Sequence, residues 1–210
     1  WRLIAAHPGL SESERCWLCR GLLHLACHEG SEGEARLLLE AGAQVNWQDK
    51  EGVTPLMLAC RFAQSGLVSL LLEGGADPCL QDARGWTALM YAVHRNLRLT
   101  SREDGEALLL SPASIDARSD EGRTALWLAC HGGGSTAWAG LVESMEWARW
   151  LLEAGAQVNC QDAESVTPLM VACRDNKWSL ASLLLEHGAD PALRDARGWT
   201  ALMHAADSQE

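Results

Sequence analysis

The sequence predicts an all-α solenoid, in which a short helical unit is repeated along the chain. The string DARGWTALM occurs at 82–90 and again at 195–203, an identity too long to come from composition alone. Threonine also returns at one register, with spacings of 33, 37, 43 and 33 residues, at Thr54, Thr87, Thr124, Thr167 and Thr200. A period of roughly 20–50 residues indicates a stacked array rather than one globular core.

Each unit of 33 residues is predicted to hold two helices and a turn. Thr54 followed by Pro55 is typical of a helix start, because threonine caps free N–H groups and proline tolerates the first helical position. A second helix is expected through the leucine-rich stretch 67–72, ending at Gly74 and Gly75, since glycine tolerates positive φ. One unit cannot bury both helices against itself, so stacked neighbours must supply the core.

The threonine register divides the chain into units. Full units are expected at 21–53, 54–86, 87–123, 124–166 and 167–199, with a partial unit at 200–210. The third unit carries a short insert, in which Thr100 and Glu103 form a capping box. The fourth carries ten extra residues, interpreted as a second helix lengthened to about Ser135–Ala154. Residues 1–20 are either an N-terminal capping helix, the preferred interpretation, or a degenerate unit.

Composition excludes several classes of function. The formal net charge of −11 argues against a nucleic-acid binder. No apolar run approaches the roughly 20 residues of a membrane span, so membrane insertion is not expected. The glycines of HGGGST at 131–136 lack the lysine of a phosphate-binding loop. We find no catalytic signature and no cofactor motif, so the protein is expected not to be an enzyme.

The eight cysteines are interpreted mainly as packing residues. Cys27, Cys60, Cys130 and Cys173 take the same small-residue position of the first helix, where cysteine acts as a small hydrophobe. Cys79 and Cys160 fall in the turns and are expected to be exposed. The CxxC at 16–19 lacks a partner pair at zinc spacing, so no metal is expected. Thiols without an evident pairing pattern favour a reducing compartment, and hence a cytoplasmic or nuclear protein.

The recurring pattern D-x-x-G-x-T-P/A-L, then A-A/C, then L-L-L-E-x-G-A-x-x-N/P, resembles the ankyrin repeat over about 21–210. The resemblance implies an ankyrin-repeat solenoid with short β-hairpin fingers, which acts as a protein-binding scaffold. This sequence departs from the family in three ways. The family's histidine after T-P-L survives only as His24, Ser119 replaces the finger aspartate, and Ser165 replaces the finger glycine. We therefore expect altered finger geometry in the fourth repeat.

The resemblance also implies which residues contact a partner. In the family these are residues that follow the finger aspartate, precede the threonine or follow the A-A/C pair. Here the candidates are Lys50, Glu51, Arg61, Phe62, Arg84, Trp86, His94, Arg95, Arg123, His131, Arg174, Arg197 and Trp199. Trp138 of the insert is added as an exposed apolar candidate. Because tryptophan and arginine dominate binding energies at interfaces, Arg84 and Trp86 are the strongest of them.

The expected face has five positions in each of five repeats: two after the finger aspartate, one before the threonine and two after the A-A/C pair. These 25 positions carry seven Lys or Arg and six Asp or Glu, whereas the rest of the chain carries ten basic and 22 acidic residues. The partner is therefore expected to be a protein or peptide with acidic and apolar anchors, bound by a monomer. Two alternatives remain open: a regulatory or ligand-sensing array in a larger multidomain protein, and a spacer.

In the family, asparagines like Asn46 and Asn159 can be hydroxylated; the alternative is a structural turn asparagine.

Overall fold

A computed structural model of the protein describes residues 12–95, 97, 108–109, 112–132 and 138–208. The regular structure in these ranges is helical. In chain order the helices are α1 (Glu12–Glu29), α2 (Glu32–Glu40), α3 (Pro55–Arg61), α4 (Ser65–Glu73), α5 (Ala88–His94), α6 (Pro112–Ile115), α7 (Ala125–His131), α8 (Trp138–Glu153), α9 (Pro168–Arg174), α10 (Trp178–Glu186) and α11 (Ala201–Asp207).

The helices form two rows. In the inner row, α1, α3, α5, α7, α9 and α11 each pack on the next. In the outer row, α2 packs on α4 and α8 packs on α10. Each unit with both helices described also packs its inner helix on its own outer helix, as α3 does on α4. The predicted all-α solenoid is confirmed.

The threonine register marks the inner helix starts, as predicted. The Oγ1 of Thr54 accepts a hydrogen bond from the Met57 N–H at 3.2 Å, which satisfies one of the N–H groups that a helix start leaves free. Thr87, Thr124 and Thr167 cap their helices in the same way at 3.3 Å. The outer helix α4 ends near Gly75, whose φ of +83° suits glycine.

The core runs through the inner row as one continuous cluster. Leu56, Leu89, Leu126 and Leu169 fill one register, and each is at most 2% exposed. Methionine replaces the family's histidine next to them: Met57 is buried, and its Sδ accepts from the Thr54 N–H of its own helix start. The retained His24 instead reaches the last residue of its own repeat, where its Nε2 lies 2.9 Å from the Val53 carbonyl oxygen.

The fingers are tight turns rather than strands in the part of the chain that the structure describes. In the first, Asp49 N–H donates to the Val53 carbonyl at 3.1 Å, a hairpin-like bond. Neighbouring fingers share one backbone hydrogen bond, such as Ala83 N–H to the Glu51 carbonyl at 2.8 Å. The Gln48 side chain adds a second link, to the Gln81 carbonyl at 2.9 Å. Such short contacts do not make a β-ladder, although they keep the fingers in register.

The expected distortion at Ser119 is wrong. Its N–H donates to the Arg123 carbonyl at 3.0 Å, and its Oγ accepts from the Arg123 N–H at 3.2 Å. A hydroxyl therefore performs part of the aspartate's role, because both side chains can accept from the backbone of a turn. The expected change at Ser165 is wrong as well: its N–H donates to the Asp162 carbonyl at 3.0 Å, as Gly52 N–H does to the Asp49 carbonyl, and its φ of +61° lies in the left-handed region that its glycine counterparts occupy.

The insert of the fourth repeat lengthens the outer helix, as expected. Helix α8 runs Trp138–Glu153, whereas the sequence suggested 135–154, and 133–137 lie outside the described residues. The structure does not describe the side chain of Trp138 or residues Thr100 and Glu103, so the candidate contact at Trp138 and the capping box stay predictions. The proposed boundary between 20 and 21 falls inside the continuous helix α1.

Candidate partner-binding face

One face of the array is formed by the finger tips and by the C-terminal ends of the inner helices. We call it the finger face. Lys50 and Glu51 lie exposed at the first finger tip, while Arg61 and Phe62 lie exposed at the end of α3. Phe62 keeps 38% of its surface exposed, which is unusual for an apolar side chain of this size.

A cluster of hydrogen-bonded and stacked side chains on the finger face surrounds Trp86. The Arg84 guanidinium carbon lies 5.4 Å from the centre of the half-buried Trp86 ring, a cation–π distance. The His94 ring meets the same indole edge-on at 5.4 Å. Arg84 Nη2 donates to the Tyr91 hydroxyl at 2.7 Å, and that hydroxyl donates to Asp82 Oδ2 at 2.8 Å. The Arg84 side chain nevertheless remains 61% exposed, so it is held in place and open to a partner.

The duplicated segment builds a related cluster at the other end of the array. The Arg197 guanidinium carbon lies 4.5 Å from the Trp199 ring centre. The buried His204 takes the place of Tyr91, and its Nε2 lies 3.0 Å from Asp195 Oδ2. The surroundings of the two clusters differ in charge, because the acidic Asp207 occupies the position that His94 holds beside the first cluster.

The third arginine–tryptophan pair is more enclosed. The Arg123 guanidinium carbon lies 4.5 Å from the Trp127 ring centre, and Trp127 is buried. Arg123 also forms an ion pair with Glu121. Its buried Nε has no hydrogen-bond partner among the described residues. The expected partner residue Arg123 is therefore largely committed to contacts within the protein.

The inner helix ends form a row of basic and imidazole side chains. Arg95 Nε donates to the Arg61 carbonyl at 3.0 Å, which links the second and third repeats. His131 Nδ1 lies 3.3 Å from Arg174 Nη2 and 3.8 Å from Asp175 Oδ2. Burial acts to raise the pKa of Asp175, but hydrogen bonds from His131 and Arg174 and nearby positive charge hold that pKa below its ordinary value.

Sequence reasoning missed one member of this row. His28 lies exposed at the end of α1, and its ring meets the Phe62 ring edge-on at 4.8 Å. It holds the same register as Arg61, because Gly21 stands where later repeats have threonine. Extending the register by one repeat would have found it.

The two asparagines bridge neighbouring repeats. Asn46 Oδ1 accepts from the Asp77 N–H at 2.7 Å, and its Nδ2 donates to the Gly75 carbonyl at 3.3 Å. Asn159 makes the corresponding bonds to Asp190 and Gly188. Both residues are exposed. These bonds give each side chain a structural role, while hydroxylation stays a prediction.

The thiols pack inside the array. Cys160 is 4% exposed, so its expected exposure is wrong, and its Sγ lies 3.1 Å from Thr124 Oγ1. Burial raises the pKa of Cys160 to about 11 and that of Cys27 to about 12. Cys79 is partly exposed. Among the residues whose positions are described, no group of three or more His, Cys, Asp or Glu side chains is arranged to hold a metal ion.

Stacked helix pairs, joined by hydrogen-bonded fingers and lined on one face by charged and aromatic side chains, define a helical-repeat protein. Comparison with known families gives the same result. Models described as ankyrin repeats match residues 23–103, 121–163 and 146–205. The chain belongs to the ankyrin-repeat family, whose repeats generally serve as protein-interaction modules.

Similar proteins occur in several animals. The chain is 41% identical over 183 residues to Ankyrin repeat and SOCS box protein 16 of Mus musculus, and 36% identical over 182 residues to the Homo sapiens protein of the same name. Each match covers 86% of this chain and 39% of the relative. Ankyrin repeat and SOCS box protein 11 of Danio rerio is 36% identical over 102 residues, 49% of this chain and 31% of that protein. The chain thus spans well under half the length of these relatives.

Proposed function

We propose that the protein is a non-catalytic scaffold that binds a partner protein or peptide along the finger face. The observation that carries this proposal is the Trp86 cluster. Arg84 is fixed by Tyr91 and by the ring of Trp86, yet most of its side chain is exposed. A side chain held in its binding geometry loses little conformational entropy when a partner arrives, which favours a strong contact.

The chemistry of the cluster indicates the kind of contact. A half-exposed indole offers apolar area, and a guanidinium presents several N–H donors to a carboxylate. Tryptophan and arginine are also the residues most enriched among energetic hot spots of protein interfaces. A partner segment with an acidic side chain beside an apolar one would match Arg84 and Trp86 together.

The test is partner capture with paired variants. Arg84→Ala with Trp86→Ala should weaken binding by about 2 kcal/mol or more, which is the scale of a hot spot. Partners are captured from a lysate by the wild-type array, identified by mass spectrometry, and then titrated individually by calorimetry. Helix content measured by circular dichroism checks that each variant remains folded.

The duplication supplies the matched control. Arg197→Ala with Trp199→Ala removes the same two residue types from the second cluster, where Asp207 replaces the cationic surroundings. We expect a smaller loss of affinity from this pair. Equal and negligible losses from both pairs would remove the basis for placing the binding site at the Trp86 cluster.

The second candidate is a regulatory or ligand-sensing array of a larger multidomain protein. It is favoured by the relatives, which are longer and are named for a SOCS box as well as for ankyrin repeats. Capture of a small anionic molecule, rather than of a polypeptide, would support ligand sensing. A spacer would show no loss of any binding when the finger face is changed.

We also propose that the protein works in the cytoplasm or nucleus. The described cysteines are free thiols, and five of them are buried within the array. None of the helices in the described residues is long and apolar enough to cross a membrane. Fractionation of cells that express the tagged protein tests this localisation.

A further inference from the structure

We infer that the row of side chains at the inner helix ends recognises an extended acidic polypeptide segment, and binds it more tightly when His94 is protonated. The row, called the helix-end stripe, consists of His28, Arg61, His94, His131 and Arg174. This inference rests on the proposed function and gives the partner a specific chemistry: carboxylates at about every third residue.

Contacts between neighbouring repeats connect three of the four steps along the stripe. The His28 ring contacts Phe62, which follows Arg61 in the chain. Arg95, which follows His94, donates to the Arg61 carbonyl. His131 lies 3.3 Å from Arg174, across the junction of α7 and α9. Each of the five inner helices α1, α3, α5, α7 and α9 therefore contributes one basic or imidazole group to the same line.

Stabilisation of the helices does not account for the whole stripe. Cations near a helix C-terminus are favourable, because the helix dipole places partial negative charge there. However, the carbonyls at these ends already have other donors. Arg95 bonds the Arg61 carbonyl, and Lys177 Nζ bonds the Cys130 and Gly132 carbonyls at 2.7 and 2.8 Å. His131 and Arg174 keep 48% and 40% of their side chains exposed, which leaves them free to meet a partner.

The charge of the whole chain makes the stripe selective. Acidic residues outnumber basic ones by 28 to 17, so a polyanion that approached at random would be repelled. A flexible acidic segment can follow the narrow stripe and avoid the acidic surroundings, whereas a rigid duplex of nucleic acid cannot. Local attraction within a repulsive field is a recognised source of binding specificity.

His94 makes the attraction depend on pH. Burial, followed by the charges of Arg95, His131 and Arg84, lowers the pKa of His94, so this ring is mostly neutral near neutral pH. His94 also meets the Trp86 ring. A bound carboxylate favours the protonated ring and raises that pKa, so binding takes up protons. The affinity should therefore increase as pH falls through the interval between the free and bound pKa values.

The other two histidines have different neighbours. His131 faces Arg174 and Asp175 from α9 and its C-terminus, and its own helix supplies the Trp127 ring. Asp175 also forms ion pairs with Arg174 (Oδ1 to Nε, 3.1 Å) and Lys177 (Oδ2 to Nζ, 3.8 Å), so its negative charge is divided among three partners. His28 faces the Phe62 ring, and Glu29 follows it in the chain.

The spacing of the stripe sets the spacing of the ligand. Packed helices lie about 8–10 Å apart, so successive members of the stripe are separated by about that distance. An extended segment in the polyproline II conformation advances about 3.1 Å per residue with three residues per turn, so every third side chain lies on one face and three residues span one repeat. A segment with a carboxylate at every third residue would place one beside each member.

The experiment uses the intact array and synthetic fluorescent peptides, measured by anisotropy at about pH 5.5 and about pH 7.5, on either side of the ordinary histidine pKa. The first peptide repeats Glu-Gly-Ala. The control peptide has the same composition with its glutamates gathered at one end, so that its charge reaches only part of the stripe. A double-stranded oligonucleotide of equal charge tests for binding of any polyanion.

We expect the Glu-Gly-Ala peptide to bind more tightly than the control peptide. Its affinity should rise roughly three- to tenfold from the higher to the lower pH, as expected for a few exposed ion pairs. His94→Gln should remove this rise. His187→Gln, on the exposed end of the outer helix α10, should leave it unchanged.

Several results would overturn the inference: no peptide binding, equal affinity for the two peptides, an affinity that ignores pH, or tighter binding of the oligonucleotide. The proposed function is tested separately, through the Arg84 and Trp86 variants and the captured partner protein. If those variants lose the partner while the peptide result is negative, the scaffold function stands and only the acidic-segment inference fails.

Discussion

Ser165 offers a direct test of how the fingers are built, because the duplication gives it glycine counterparts. Gly52, Gly85, Gly122 and Gly198 hold the same finger position with φ between +73° and +81°, and Ser165 has a φ of +61°. The left-handed conformation costs a residue with a Cβ roughly 1–2 kcal/mol. The change Ser165→Gly removes this cost, but it adds about 0.4–1 kcal/mol of unfolded-state entropy.

The expected net gain is about 0.5–1 kcal/mol in the free energy of unfolding. The serine hydroxyl makes no hydrogen bond to any residue that the structure describes, so none should be lost. For a chain of this size, such a gain corresponds to a rise of about 1–4 °C in Tm. Thermal and urea unfolding followed by circular dichroism measure it, and amide exchange at 162–166 reports whether the change is local.

The reciprocal variant Gly122→Ser is the control. A Cβ at Gly122 would lie 3.0 Å from the Ala163 backbone nitrogen of the next finger, closer than ordinary contact. We therefore expect this variant to lose more than about 1 kcal/mol, since strain and crowding add. If Ser165→Gly fails to stabilise the array while Gly122→Ser is tolerated, the argument from left-handed backbone strain is refuted.

Two further predictions concern buried charges. Lys177→Met keeps the aliphatic stem but removes the lysine donor from the Cys130 and Gly132 carbonyls, of which Gly132 keeps only the Ser144 hydroxyl, so we expect a loss of about 1–3 kcal/mol and faster amide exchange near 130–132. Unchanged exchange there would contradict this role. The second prediction is that Asp195 stabilises the fold against acid. Burial acts to raise the pKa of Asp195, but hydrogen bonds from Trp199, His204 and Arg197 hold that pKa below its ordinary value. Its contribution is therefore present above the unfolded pKa of about 4 and lost as pH falls through the folded pKa. Asp195→Asn should cost about 2 kcal/mol near pH 7 and much less below pH 3, as measured by urea unfolding at each pH; a constant difference between the two proteins would disprove it.

Much of the fold could be predicted from the sequence because its signals are local. The Thr54 cap and the glycine at 75 act within a few residues of their own position, and the structure confirms both helix ends. The repeat period adds the stacking, since one unit has too little apolar surface to fold alone. The expected change at Ser119 was wrong for the same local reason: a hydroxyl can accept the turn N–H that an aspartate would accept.

The candidate site was predicted less completely. The register identified Arg84 and Trp86 from their positions, but it could not show that Tyr91 and Asp82 hold the guanidinium in place. It also included Arg123 among the candidates, whereas this arginine is partly enclosed over a buried tryptophan. Partners of this kind lie on a neighbouring turn or helix, and the periodic pattern does not specify their rotamers.

The sequence by itself determined the repeat, its helix starts and the faces that carry charge, because each depends on interactions a few residues long. The tertiary structure alone decided which distant side chains meet. Cys160 is buried against Thr124, 36 residues away, and Lys177 reaches Gly132, 45 residues away. Likewise, the His28 ring meets the Phe62 ring only when α1 stacks on α3. The physical reason is that stacking fixes distances between repeats, and no local pattern encodes a distance between side chains of different repeats.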